Sequence, residues 1–544
     1  MKNFTKTSFL LILTLCVTCL VDVKAQTLPR LDNTFGTGGI IRPSFGGRPA
    51  GFSHVLPLPN GKYIVTGSLD MGRTDMLVTR FNHNGSIDST FRGSHVGYDL
   101  TGSLYANEWG RMTLKTNDNK LICIGDFENP NNLNRDSTAI MVFKLDSTGL
   151  SDPTWRPNNR GYSVISEVGQ KLYAVDAKIM PDNKILIAIG KQLGFDVSSF
   201  RIARLNPDGS RDLTFGTNGY AGMYVQYSTI QLFSMDVSPT GEILVSGWRQ
   251  PQIGARLWFL MKFNADGSVN TTFGNNGVVD LNSFNYNGSF ILSPYKVGFL
   301  DDGKIILSSM SKNTTNPSAY TYNVHVARFL ANGQLDLSYG TNGYTEIECL
   351  YYEQPIRFLL QPDQKIIVSK SGSNEVALYR FNSNGSLDNN FGVNGKFSIP
   401  SQNSDTIAVN QIAMTGDGSV LLAGYHLKLG GGEVFFKKAF LARVLTDINL
   451  GIVNNTDKAS NLLIYPNPIE QNAEFKYTLI TGDYVQISLY DKLGRLVHTY
   501  LKDELKEAGE HKLPISLSVD LPSDTYYLSL KTSTGSTSVL IQKK

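Results

Sequence analysis

Short apolar runs, each bounded by glycine, asparagine, aspartate or proline, fill most of the chain. Runs such as KILIAIG from Lys184, IQLFSMDVS from Ile230 and RLWFLMKFN from Arg256 have the length and composition of β-strands. Asn-Gly and Asp-Gly pairs between runs supply the positive-φ positions of tight hairpins. Near the C-terminus, Val485-Gln486-Ile487-Ser488-Leu489 and Tyr527-Leu528-Ser529-Leu530 alternate apolar and polar, which puts one strand face in a core and the other in water. Gly contributes 51 of 544 residues, above the usual ~7%. The pattern predicts an all-β protein.

The runs are periodic. One cassette reads RFNHNGSIDSTF from Arg80, KLDSTGLSDPTW from Lys144, RLNPDGSRDLTFGTNG from Arg204, KFNADGSVNTTFGNNG from Lys262, RFLANGQLDLSYGTNG from Arg328 and RFNSNGSLDNNFGVNG from Arg380. Its aromatic falls at Phe35, Phe91, Trp155, Phe215, Phe273, Tyr339 and Phe391, in steps of 56, 64, 60, 58, 66 and 52. A second cassette, a turn followed by an apolar strand, begins at Pro59, Asn117, Pro181, Pro239, Asp301, Pro362 and Gly416. Each unit of about sixty residues thus holds about four short strands, too few to bury both faces alone, whereas radial stacking buries them.

The ends of the array complement each other. It begins with LDNTFGTGGII from Leu31, without preceding strands, and ends with AFLARVL from Ala439, without a following corner. Pairing the strand around Gly39 to Ile41 with that around Phe440 to Leu445 would close a ring and leave no free edge. The expected architecture is a seven-bladed β-propeller followed by a small C-terminal β-sandwich, with units at 1–25, 26–448, 449–460 and 461–544.

The paired cassettes resemble the bacterial delta-60 repeat family, whose signature is an NxDGSxDxxFGxNG corner and a PDGKILVxG hairpin. The resemblance spans Leu31 to Leu445 and implies an exported protein of propeller type, with no common ligand or reaction. Arg92 after Phe91, and Trp155 without a following Gly, depart from the signature. Their corners are expected to be rebuilt.

From Thr446 the chain is polar and linker-like, and from Asn461 a different module begins. Tyr465-Pro466-Asn467-Pro468, the turn holding Gly494-Arg495, the strand at Tyr527-Leu528 and the terminal Lys543-Lys544 make it similar to the type A C-terminal sorting domain of the type IX secretion system of Bacteroidetes. Ser523-Asp524 stands where that family usually has Gly before the aromatic strand. The resemblance implies export across the outer membrane, with the type IX translocon and sorting machinery as partners. It also implies removal of the module and attachment at the outer surface or release.

The N-terminus agrees with export. Lys2 and Lys6 precede an apolar run of 13 residues from Phe9 to Val21, and Val23-Lys24-Ala25 offers a cleavage site before Gln26. That reads as a secretory signal, too short for a membrane anchor. Cys19 raises a lipoprotein alternative, which Cys16 three places before it and Leu20 after it disfavour. No later stretch is apolar enough to span a bilayer. Cleavage leaves Cys123 and Cys349, expected as two buried thiols rather than a disulfide. Lys+Arg at 50 against Asp+Glu at 47 leaves a net charge of +3, too little for a nucleic-acid binder that must displace counterions.

Chemistry is sparse. There is no CxxC, HExxH, GxSxG or phosphate loop. The repeated turn from Asn206 to Asp212 has a superficial likeness to a calcium loop, but its ligand charge is not kept in the copies from Asn264 and Leu330. Positive-φ turn positions and backbone-capping acids explain it more simply. No metal and no cofactor is expected. Residues repeated in every unit should be structural, so a ligand site is sought among loop residues that differ: Asp70, Arg73, Asp126, Trp248, Arg249, Tyr425 and His426. Aromatic and charged loop tips suit sugar stacking or peptide contacts. The expected function is non-enzymatic binding of a glycan or surface protein. The alternatives are a polysaccharide hydrolase or lyase on the same scaffold, recognisable by a cluster of perturbed ionisable groups in the channel or variable face, and a structural or adhesion role.

Overall fold

The computed structural model describes residues 29–544 apart from 93–96, 99–106, 129–136, 156–160, 168–169, 192–198, 225–227, 252, 285–288, 314–320, 350–355, 373–374, 402–405, 429–435, 447–458, 480–481, 492–495 and 533–534. The expected signal segment and most of the expected linker lie outside these residues. Two compact units emerge, Met1–Asp447 and Ile448–Lys544.

The described residues of the first unit form seven antiparallel sheets, six of them read in chain order from innermost to outermost strand. The first sheet, or blade, takes Ala50–Pro57, Tyr63–Asp70, Thr74–Phe81 and Gly97–Tyr98. The innermost strands of the other blades are Glu108–Lys115, Leu172–Ile179, Ser228–Val237, Ser289–Phe299, Arg357–Leu360 and Thr406–Met414. Each innermost strand packs against the preceding blade, and Ala50–Pro57 packs against the seventh, so the fold is a closed β-propeller. Apolar side chains on facing sheets fill the gaps between blades, as where Met112, Ile124 and Val142 of the second meet Ala174, Ile187 and Ala203 of the third.

The strand pairing expected between the chain ends is present. Ile40–Ile41 pairs with Leu441–Ala442, and Arg30–Leu31 pairs with Val444–Leu445. The last blade therefore takes its outer strands from the N-terminus, and neither end is left as an open edge.

The repeated corner explains its own residues. Arg80 Nε donates to Asp88 Oδ2 at 2.6 Å, Arg204 to Asp212 at 2.7 Å, Arg328 to Asp336 at 2.8 Å and Arg380 to Asp388 at 2.8 Å. The same guanidinium reaches the next blade's turn carbonyl: Arg204 Nη1 to Ala265 O and Arg328 Nη1 to Ser383 O, both at 2.7 Å. It also lies over the corner aromatic, 4.4 Å from the Phe215 centroid and 4.7 Å from Tyr339. The aromatic in turn packs beneath the glycine of the next blade's turn. A Cβ at Gly149, Gly209 or Gly267 would stand 2.9, 2.5 or 2.8 Å from Phe91, Trp155 or Phe215. These glycines are needed both for positive φ and for close approach.

At Arg92 the turn after Phe91 keeps the geometry of the other corners, and residues 93–96 lie outside the described set. Arg92 adopts φ 50°, where the equivalent Gly216 and Gly274 have 52° and 56°. Its N–H donates to Thr148 O at 2.8 Å, as Gly216 N does to Asp266 O at 2.7 Å. The residues after Trp155 lie outside the described set. Of the retained cysteines, Cys123 is free and buried, and the side chain of Cys349 is outside the description.

The second unit is a sandwich of a three-stranded sheet (Ala459–Tyr465, Asn472–Leu479, Gly509–Ser516) and a four-stranded one (Leu496–Lys506, Asp483–Asp491, Thr525–Thr532, Gly535–Gln542). Ile464, Phe475, Val485, Ile487, Leu489, Leu528 and Ile541 fill its core. The alternation in both sequence segments sets which side chains point inward.

Two predictions follow from the corners. Gly267→Ala and Gly303→Ala both place alanine at positive φ (+89° and +80°), but only the first meets an aromatic, since Ala331 Cβ stands 3.9 Å from the second. Gly303→Ala should lose about 1–2 kcal/mol of backbone preference, and Gly267→Ala about 1–3 kcal/mol more from overpacking. Thermal midpoints check this, and equal shifts would rule out the aromatic contact as a constraint.

The second prediction concerns acid. Burial alone would raise the corner carboxyls, but hydrogen bonds from Lys62, Thr90 and Arg80 on Asp88, and from Lys120 and Thr154 on Asp152, outweigh it. Asp152 is held down at about 2, and Asp88 is well below the usual carboxylate range. A carboxyl depressed in the folded state stabilises it above the unfolded pKa of ~4 and loses that contribution as pH falls through the folded value. The thermal midpoint should therefore hold down to about pH 4 and drop between there and about pH 2. A flat profile across that window would contradict the assignment.

Candidate functional site

Two places gather polar groups beyond what packing requires: the axis of the propeller and one end of the sandwich. The axis is built from one position per blade. His54, Met112, Asp176, Ser234, Lys296, Arg357 and Gln411 each stand eight residues before the hairpin position held by Lys62, Lys120, Lys184, Glu242, Lys304, Lys365 and Ser419. In six of the seven innermost strands a register shift falls just before it, as between Phe52 and His54, Ala174 and Asp176, and Pro294 and Lys296. A bulge bends the strand and re-aims a side chain, and here it accompanies groups that meet across the channel.

His54, Asp176, Lys296, Arg357 and Gln411 are half-buried there, whereas Ser234 is buried and Met112 belongs to the core between the second and third blades. Asp176 Oδ2 accepts from Met235 N at 3.1 Å and Ser234 Oγ at 3.3 Å, and its Oδ1 accepts from Ala177 N at 2.9 Å. Asp236 accepts from Lys178 Nζ at 3.0 Å and from Phe299 N at 2.8 Å. Lys296 Nζ donates to Phe358 O at 2.9 Å. Arg357 donates to Asn410 O at 2.7 Å and Ile356 O at 3.3 Å, and Asn410 Nδ2 donates to Phe52 O at 2.7 Å. These bonds tie the third blade to the fourth, the fourth to the fifth, and so on through the seventh to the first.

The electrostatics follow from enclosure and crowding. Burial pushes His54 down to about 4, helped by the charges of Lys178 and Lys296, so the ring is neutral at physiological pH. Burial also pushes Lys296 down to about 8, with Lys178 and Arg357 adding to it and Asp176 and Asp236 opposing. Lys178 moves the other way, because Asp236 and Asp176 outweigh its burial. Two cations, Lys296 and Arg357, hold backbone carbonyls and no carboxylate among the described residues.

The loop residues singled out in the sequence are dispersed. Asp70 is exposed and accepts from Gly72 N at 2.9 Å, and Arg73 pairs with Asp75 at 2.9 Å. Asp126 is buried, ion-paired with Arg111, and accepts from Ala174 N of the next blade at 2.9 Å. Burial raises its carboxyl to about 6 against those partners. Trp248 is buried edge-on to Trp258, with Arg256 4.0 Å from its ring centroid. Arg249 is half-buried and pairs in register with Ile230. Tyr425 packs against Gly51 of the first blade, and His426 is buried. Asp126, Trp248 and Tyr425 share one position, six residues after the hairpin site. There Asp126 and Tyr425 meet the next blade, while Trp248 lies against Trp258 and Arg256 of its own.

Sequence reasoning missed the axis because it treated the innermost strand as scaffold. The signal was present: one polar position, aligned to the hairpin, whose residue changes from His to Met, Asp, Ser, Lys, Arg and Gln around the ring.

In the sandwich the two ends of the module meet. Asn467 Nδ2 donates to Leu540 O at 2.8 Å and its Oδ1 accepts from Gln542 N at 2.9 Å. Lys544 N donates to Ile469 O at 2.9 Å. The Lys543 ammonium is buried and donates to Ser518 O at 2.8 Å, Val519 O at 3.3 Å and Leu521 O. Tyr465 is 76% exposed beside Pro466, and the Tyr465-Pro466 and Asn467-Pro468 bonds are cis. Gly494 and Arg495 lie outside the described residues.

Comparison with known proteins fits both units. A family model described as a domain of unknown function (DUF5122) β-propeller matches residues 58–91, 181–215, 238–273 and 361–391, each match running from hairpin to corner aromatic. A model described as a secretion system C-terminal sorting domain matches residues 463–544. No curated protein matches the chain. Similar solved structures include the Vanderwaltozyma polyspora Nup133 β-propeller domain (12% identity, TM-score 0.33, 74% of this chain and 99% of that one). Another is a PL25 ulvan lyase (10%, 0.41, 72% and 94%). A third is a fungal alcohol oxidase of the AA5 family (12%, 0.37, 94% and 100%). At these scores the likeness says nothing of what this chain does. The chain carries DUF5122 propeller repeats of delta-60 type and a type IX sorting domain, which marks a protein exported by that system and attached to or released from the outer cell surface. Among the described residues no helix is long and apolar enough to cross a membrane.

The contact between module ends gives a prediction. Asn467→Ala removes two hydrogen bonds and Lys543→Met removes a buried ammonium's three acceptors, so each should cut export while the propeller still folds. Immunoblots of periplasm, outer membrane and medium check it, and unchanged export of both variants would detach this contact from sorting.

Proposed function

We propose that this exported β-propeller is a non-enzymatic binding module whose ligand enters the axial channel. The observation that carries the reading is the convergence of His54, Asp176, Lys178, Asp236, Lys296 and Arg357, from five blades, on one water-reached space. Enclosed polar groups that converge from separate elements are the usual anatomy of a ligand site. Asp70, Arg73, Arg249 and Tyr425 keep solvent-facing surface on the variable-loop side and form an outer tier of the proposed binding face.

The arrangement favours binding over glycoside hydrolysis. Hydrolysis calls for two carboxyl groups free to give or take protons, and Asp176 and Asp236 are both engaged by backbone N–H groups. One observation favours a lyase as a second reading: His54 is neutral, and Lys296 is held near the range of a proton acceptor.

A polysaccharide and glycan panel exposed to the secreted protein separates these readings when retention and shortened or unsaturated products are scored together. Retention without products is expected. Unsaturated products would replace the binding reading with the lyase one, and capture of envelope proteins without glycan retention would replace the glycan with a protein ligand.

A further inference from the structure

We infer that Lys296 and Arg357 form a receptor for a carboxylate carried by an acidic saccharide that enters the propeller channel. The inference rests on the channel reading above and adds the ligand's chemistry.

Donor and acceptor accounting carries it. An ammonium has three N–H donors and a guanidinium five. Among the described residues Lys296 uses one, on Phe358 O, and Arg357 uses two, on Asn410 O and Ile356 O. The carboxylates facing them are committed elsewhere: Asp176 to Ala177, Met235 and Ser234, and Asp236 to Lys178 and Phe299. Lys178 is neutralised by Asp236, and His54 adds no charge. The tier therefore keeps positive charge in an enclosed space, where an incoming anion gains charge-assisted hydrogen bonds and relieves repulsion between the cations.

A saccharide fits better than a bare ion. Trp109 and Tyr173 stand near the loop-side ends of two innermost strands, both half-buried. The Arg111 guanidinium lies 5.7 Å from the Tyr173 ring centroid, and Gln231 Nε2 donates to the Tyr173 hydroxyl at 2.7 Å. Flat amphipathic rings beside amide and guanidinium donors suit a sugar face. The sorting domain sends the protein outside the cell, so the ligand is an extracellular one.

Binding should then depend on the Lys296 proton. The groups that face it are Asp176 and Lys178 from the third blade, Asp236 from the fourth and Arg357 from the sixth, with His54 across the channel. As pH rises through about 8, Lys296 loses its charge, and affinity for the carboxylate should fall. Arginine at the same place does not titrate in this range.

Calorimetric titration of the secreted protein with oligogalacturonate, oligoalginate, fully methyl-esterified oligogalacturonate and free galacturonate provides the test. The acidic chains should bind about tenfold or more tightly than the ester, the gain of a hydrogen-bonded charge pair. Free galacturonate, if it matches the chains, assigns recognition to the single acid rather than the polymer. Between about pH 7 and pH 9 the wild-type affinity should fall several-fold, whereas Lys296→Arg should bind with a flat profile. Lys296→Met should bind about tenfold more weakly at a thermal midpoint no lower than that of the wild type. Equal binding of ester and acid overturns the carboxylate receptor and leaves the channel reading standing. Undiminished acidic binding by Lys296→Met overturns both, because the ligand then lies elsewhere.

Discussion

The cation–carboxylate pair at each corner, arginine–aspartate in five of the seven blades, is the contact on which the ring depends. It is buried within its blade and shared with the next, because the same guanidinium that takes Asp212 also takes Ala265 O across the gap. Removing one partner of such a pair strands a charge and costs about 3–5 kcal/mol, so each pair links the state of its own sheet to that of its neighbour. The aromatic beneath the guanidinium and the glycine above the aromatic complete a stack in which every layer comes from the same short cassette. That accounts for the repetition of the cassette as a block: a change in any one layer must be absorbed by the others.

Two blades show how the constraint is met by other residues. In the fourth, the arginine is Lys262 and the acid position is Asn270, while the hairpin lysine has become Glu242. Lys262 Nζ lies 2.9 Å from Glu242 Oε1, and Asn270 Nδ2 donates to the same oxygen at 3.2 Å. The charge pair survives with its acid moved to the hairpin. In the seventh blade, Arg443 comes from the end of the propeller and its partner Asp32 from the beginning, 3.0 Å away, three residues before Phe35 as Asp88 is before Phe91. His83 of the first blade accepts the link to the next turn, its Nε2 2.7 Å from Arg443 Nη1. Ring closure is thus the same corner divided between the chain ends, with Arg443 only 1% exposed.

Much of the fold was legible because the cassette writes its geometry in residue types. The complementary ends announced the shared last blade, and the Asn-Gly and Asp-Gly turns announced the hairpins. Two features were hidden. The bulge before His54 and Asp176 leaves no glycine or proline mark, since ordinary residues adopt it. The tolerance of the corner for Arg92 was hidden as well, because positive φ is open to a non-glycine residue where no neighbour crowds its Cβ. The candidate loop residues were chosen because they differ from unit to unit. Asp126 and Tyr425 also fit against the next blade, and a single sequence offers no way to separate such packing from ligand selection as the source of the difference.

The axis is where those two kinds of difference separate physically. A side chain between blades must fill a gap fixed by two sheets at a density that tolerates little change in volume. A side chain beside a water-filled channel has no such partner, so its volume and charge can change without displacing a sheet. Residues there still cost free energy when they are cationic and enclosed, and a neutral substitute would cost less, such as the Gln411 that the seventh blade has at this position. Lys296 and Arg357 tie their blades to the next through carbonyls, with Lys296 also over the Phe358 ring, and neither makes an ion pair with a carboxylate among the described residues. Asp176 acts on both charges and Asp236 on Lys296 without direct contact, and an anion in the channel would complete that compensation, whereas at the corners the acid is bonded directly to its cation.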